Sequence, residues 1–185
     1  RIGALKRISH HVPIQCLPQI AQAIVVSKIR YGIRLFADVR VHDSDPLCEA
    51  SKDLQLALNK TMRIVTKSRR QDHIRISDLI NRTGIQSFNR MSAGDKLMLI
   101  WQTANEENSP LAKTIERMTI DGANMTSRAR SRGDLRTTAK TRLGQENFPE
   151  PGIRLWNMTG HNIREAITKR VAKNEIKTFC DNLPL

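Results

Sequence analysis

The sequence predicts an all-α fold, and three observations carry that prediction. Several stretches repeat apolar residues at helical spacing, no stretch alternates apolar and polar residues as a half-buried strand would, and capping residues bracket the periodic runs. The expected layout is a helical bundle over residues 1–107. A looser, partly disordered basic region over 108–185 follows and ends in one more helix.

The first long helix is expected over 17–36. Leu17-Pro18 opens it, since a proline's missing N–H has no partner in a first turn anyway. Ile20, Ile24, Ile29 and Ile33 form its stripe, and Gly32 ends or bends it. The strongest helix should start at the cap Ser44-Asp45-Pro46 and run through Thr66, burying Leu47, Leu54, Leu58, Met62 and Val65. A short helix is expected at Ser77-Asp78-Leu79-Ile80, closed near Gly84. Ser87 should cap a helix through Ala104 whose apolar residues are Phe88, Met91, Leu97, Leu99, Ile100 and Trp101. Gly94 in its middle costs about 1 kcal/mol relative to Ala and marks a place to kink. Polar residues 105–110 form a linker. Residues 119–152, poor in large apolar groups, predict an arm ordered mainly by a bound partner. A last helix over 162–180 should turn Ile163, Ile167, Val171, Ile176 and Phe179 inward.

The 185 residues include 31 Lys+Arg and 18 Asp+Glu, a formal charge of +13. Residues 1–92 hold 16 basic and 7 acidic side chains, and 93–185 hold 15 and 11. Lys67, Arg69 and Arg70 cluster just past the strongest helix, flanked by Arg63 and Arg75. Arg128, Arg130, Arg132, Arg136, Lys140 and Arg142 follow within 126–142 against Asp134 alone. Such surfaces attract polyanions, nucleic acid first among them. Aromatics are only 4% of the chain, which argues against a base-stacking sheet and for contact through phosphates. No apolar run reaches the roughly 20 residues that span a bilayer. Cys16, Cys48 and Cys180 are odd in number and form no C-x-x-C pair, so reduced thiols and an intracellular setting, nuclear and cytoplasmic, are expected. The first residue is Arg1, not Met, which suggests a piece of a longer protein.

Catalytic patterns are missing: there is no P-loop, dinucleotide fingerprint, nucleophile elbow or H-E-x-x-H. His10, His11, His42, His73 and His161 share no ligand spacing with each other or with a carboxylate. Asp43 and Asp45 are explained as helix-start caps. Glu106-Glu107 is a solvated helix boundary. Phe36-Ala37-Asp38-Val39 imitates half of an aromatic-Ala-Asp-Asp polymerase signature, but Val39 stands where the second metal-binding aspartate must be. No enzymatic activity, metal or cofactor is expected of this chain.

Read in order, other residues form a series: Arg7-Ile8, Leu17-Pro18, Lys28-Ile29-Arg30-Tyr31-Gly32-Ile33, and Leu54 through Thr66. Ile76-Ser77-Asp78-Leu79, Thr83-Gly84-Ile85, Lys96-Leu97, Thr126-Ser127-Arg128-Ala129, Arg154-Leu155-Trp156-Asn157 and Ile176-Lys177-Thr178-Phe179 complete it. This series resembles the segment that follows the catalytic palm in reverse transcriptases of non-LTR (LINE-type, jockey-like) retrotransposons. The resemblance implies a helical thumb lying against template and primer, then a basic region that holds element RNA and target DNA. Its implied partners are RNA, DNA and the fingers and palm, whose catalytic aspartates and Mg²⁺ this chain does not carry. The family commonly has Leu-Pro after the Trp-Asn pair, where this chain has Met158-Thr159-Gly160. Two other readings of the same residues are a basic helical adaptor for an acidic protein surface and a decayed element copy without activity. Trp156 reads as an anchor between the linker and the last helix.

Overall fold

The computed structural model describes residues 1–42, 45, 48–105, 134–136, 141 and 149–184, and among these every regular element is helical. Helix α1 (Ile2–Ile8) buries Leu5. Next comes a rod made of α2 (Leu17–Ala21), a π-helical turn (Gln22–Val26) and α3 (Ser27–Arg30). Of the expected isoleucine stripe Ile33 alone is buried; Leu17, Ala21, Val25 and Val26 fill the core, while Ile20, Ile24 and Ile29 are half-buried against it. Leu17, Ala21 and Val25 keep a four-residue spacing from α2 into the π-helical turn, where the adjacent Val26 is buried as well. Gly32, at φ 79°, ends the rod in a left-handed conformation that suits glycine, and α4 (Ile33–Phe36) leaves in a new direction.

Helix α5 (Glu49–Val65) starts later than its expected cap. The Asp45 carboxylate accepts instead from the backbone N–H of Val41 (2.9 Å) and His42 (2.8 Å), which closes a tight loop ahead of the helix. Those bonds, the one from His42 above all, hold its pKa below the usual carboxylate range. Asp43, Ser44, Pro46 and Leu47 lie outside the described residues. The α5 stripe is as expected, with Leu58, Met62 and Val65 buried and Leu54 half-buried. Helix α6 (Ile76–Thr83) ends at Gly84, φ 67°, whose N–H bonds the Ile80 carbonyl at 2.8 Å.

Helix α7 (Phe88–Asn105) is capped by Ser87, whose Oγ accepts from the Arg90 N–H at 3.4 Å. It has no single apolar stripe because it is enclosed by neighbours, packing against α4, α5 and the two helices α8 (Glu150–Met158) and α10 (Lys169–Asp181). Phe88 and Met91 belong to an N-terminal apolar cluster. Ala93, Leu97, Ile100 and Trp101 belong to a C-terminal one. At Gly94 the helix continues unbroken, and the bare Cα lies where a Cβ would sit 3.7 Å from the Cys180 Sγ.

Helix α8 overlaps the end of the expected arm, for Glu150, Pro151 and Gly152 are its first turn. At Gly152 a Cβ would fall 2.7 Å from the Ile100 Cδ1, so the glycine sets how closely α8 crosses α7. The single last helix expected from the sequence is two, α9 (His161–Arg164) and α10. Thr168 takes an extended backbone between them, and its hydroxyl accepts from the Val171 N–H at 3.4 Å. The break rotates the buried face to Ala172, Ile176 and Cys180. It leaves Ile167 95% exposed and Val171 exposed, against expectation, while Ile163 is buried and Phe179 half-buried. All three thiols are free, and burial pushes that of Cys180 up to about 12.

Candidate nucleic-acid interface

The loop after α5 is built by its own polar side chains. Thr66 ends the helix with its hydroxyl donating to the Met62 carbonyl at 3.0 Å. Lys67 then adopts a positive φ of 53°. Asp72 accepts the Arg69 N–H at 2.6 Å and shapes a 3₁₀ turn, Arg70–Asp72. Arg63 braces the loop from inside, donating to the Arg69 carbonyl (2.8 Å) and the Ile74 carbonyl (3.4 Å). Arg63 thus holds the loop that carries its basic neighbours. Lys67, Arg69, Arg70 and Arg75 are exposed, and the charged end of none of them lies within 4 Å of a carboxylate among the described residues.

A depression of about 550 Å³ gathers Lys6 and His10 from the end of α1 with Arg63, Lys67, Arg69 and Arg70. Arg75 stands at the start of α6, outside that lining. Lys6 and His10 escaped sequence reasoning because 57 and 53 positions separate them from Arg63 and only the packing of α1 on α5 joins them.

Of the second cluster, Arg128, Arg130, Arg132, Lys140 and Arg142 lie outside the described residues. Arg136 is described and exposed. Its neighbours are fixed more firmly than an arm without apolar residues would be. Leu135 is buried in the C-terminal cluster, and the Asn157 amide grips its backbone twice, accepting its N–H and donating to its carbonyl, both at 2.8 Å. Asp134 accepts from Arg164 Nη1 at 2.8 Å, with both side chains nearly enclosed. Arg164 also donates to the Trp156 carbonyl at 2.7 Å and lies over the Trp156 ring, 5.7 Å from its centroid. Trp156 is buried among these groups, where the sequence reading placed an anchor.

A basic groove of about 490 Å³ runs between α3, α4, α7 and α10. Asp95 on its wall accepts two bonds from Arg30, one at 2.8 Å through Nε. Beside it, Lys96 is fully buried, donating to the carbonyls of Arg34 (2.8 Å) and Ile33 (3.4 Å). Burial pushes its pKa down to about 8, against the pull of Asp38 and Asp95. Between about 8 and its ordinary 10.5, the unfolded chain keeps a proton that the folded chain has lost, so stability rises with pH there. Relative to Lys96→Met, the wild type should gain about 2 kcal/mol between roughly pH 7 and pH 9.5 in urea melts. A difference that stays flat with pH would show that the ammonium is solvated.

Asp38 accepts the N–H of Val39 at 2.7 Å. No group of three His, Cys, Asp or Glu side chains among the described residues is placed to hold a metal ion. No helix among them is long and apolar enough to cross a membrane. Among the described residues the fold is thus all-helical, with basic concavities beside α1 and between α3, α4, α7 and α10. Comparison with protein-family models, with curated proteins and with solved structures finds no match.

Proposed function

We propose that this chain grips nucleic acid through its phosphate backbone, with little regard for sequence, as the thumb and C-terminal region of a non-LTR retrotransposon RNA-directed DNA polymerase. In this reading it has no catalytic groups of its own. The metal-dependent chemistry belongs to a palm, and RNA or DNA together with that palm are its partners. The observation that carries the reading is the concavity beside α1, where Lys6, Lys67, Arg69 and Arg70 converge around the Arg63 brace. Convergent cations on a rigid loop suit a phosphate backbone, because each one neutralised releases condensed counterions.

Salt titration tests it. On duplex DNA each neutralised phosphate contributes about 0.9 to the log–log slope of affinity against salt, and on single strands about 0.7. The change Lys67→Ala, Arg69→Ala, Arg70→Ala should flatten the duplex slope by about 2–3 and weaken binding to all sequences alike. Its melting temperature should stay near that of the wild type, since these side chains are exposed. The triple change of Arg128, Arg130 and Arg132 to Ala should act similarly. Weak wild-type binding, indifferent to salt and to both triple changes, would instead favour an acidic protein surface as the partner.

A further inference from the structure

We infer that the groove between α3, α4, α7 and α10 is a second phosphate-backbone track, seating one strand of a nucleic acid along Lys169, Lys173 and Lys177. The inference rests on the reading of the chain as a phosphate-backbone binder. Arg30, Arg34, Arg90 and these three lysines line the groove against the single carboxylate of Asp95. Asp95 is already taken by Arg30. Arg90 is tied to the Leu183 carbonyl by two bonds of 3.1 Å. Arg34, Lys169, Lys173 and Lys177 remain exposed, with no carboxylate within 4 Å among the described residues.

Spacing narrows the partner to a strand. Four residues of helix advance roughly 6 Å, so the three lysines form an even row about 12 Å long on one side of α10. A nucleic-acid strand presents charge at regular intervals along its whole length. An acidic peptide has no such obligatory period. Lys169 is also costly for the helix itself: it occupies the first turn of α10, which holds no acidic residue, and the positive end of the helix dipole disfavours cations there. Charge set against the helix's own preference marks a functional surface. Between the cations, Gln86, Gln102 and Asn174 offer amides, and Met98 and Ile176 give an apolar floor.

The test compares the full chain with Lys169→Gln, Lys173→Gln, Lys177→Gln in salt titrations, using a duplex DNA of about 30 base pairs and a poly-glutamate peptide as probes. The triple variant should lose about 2–3 from the wild-type duplex slope and bind roughly a hundredfold more weakly at about 0.1 M salt. Lys173→Gln alone should lose about 0.9, which decides the matter should the triple variant fold poorly. A wild-type slope in these variants, in a chain that otherwise binds duplex with salt dependence, overturns the second track and leaves the proposed function standing. Absence of salt-dependent duplex binding by the wild type overturns both. Lost poly-glutamate binding with an unchanged duplex slope would assign the groove to an acidic protein partner and overturn the inference.

Discussion

Trp156→Ala should destabilise the protein by about 3–5 kcal/mol, the usual cost of deleting a buried aromatic. The ring is 5% exposed and packs in the C-terminal cluster. Truncation opens a cavity beneath Arg164, whose guanidinium stacks on the ring and bonds both Asp134 and the Trp156 carbonyl. Trp156→Phe, which keeps most of the volume and the aromatic face, should cost much less, about 1–2 kcal/mol. Trp101 remains as the fluorescent reporter for urea unfolding. Equal losses for Ala and Phe would mean that the indole's shape or N–H, not its bulk, holds the site.

Leu58→Ala should cost about 2–5 kcal/mol. Leu58 is completely enclosed between α5 and its neighbours in the N-terminal cluster, whereas Lys60→Ala, on the exposed side of the same helix, should stay within about 0.5 kcal/mol. Equal effects from the two changes would mean that the buried face of α5 has been misassigned. The pair Leu58→Ala and Trp156→Ala also probes cooperativity, because α7 contributes residues to both clusters. Each variant should lower a single transition seen by every probe.

The parts of this fold that were legible in the sequence are those where local rules act alone. The α5 stripe, the Ser87 cap and the Gly84 terminator each follow from spacing or from one residue's backbone preference. What escaped depends on partners distant in the chain. Helix α8 begins Glu-Pro-Gly, a poor helical signal, and it stands because Gly152 and Ile153 pack on Ile100 and the rest of the C-terminal cluster. Lys96 looks like a surface residue until α4 supplies two carbonyls for it. Most of the candidate interface was legible for the same reason. Lys67, Arg69 and Arg70 are neighbours in sequence, while Lys6 and His10 join them only through folding. The row Lys169, Lys173, Lys177 did carry a signal, its four-residue repeat, which an emphasis on apolar periodicity passes over.

The Asn89 side chain bears on the order of events in folding. Its amide accepts the Arg40 N–H and donates to the carbonyls of Arg40 and Pro184, partners 49 and 95 positions away along the chain. Contacts that bridge such distances form after loop closure has been paid for by nearer ones. A clamp formed on the downhill side of the folding barrier should show in Asn89→Ala as faster unfolding at an unchanged refolding rate, read from a urea chevron. Interactions made there slow the escape from the native state and leave the rate of reaching it almost untouched. One amide on the central helix thus ties the loop after α4 and the turn beyond α10 to a single point.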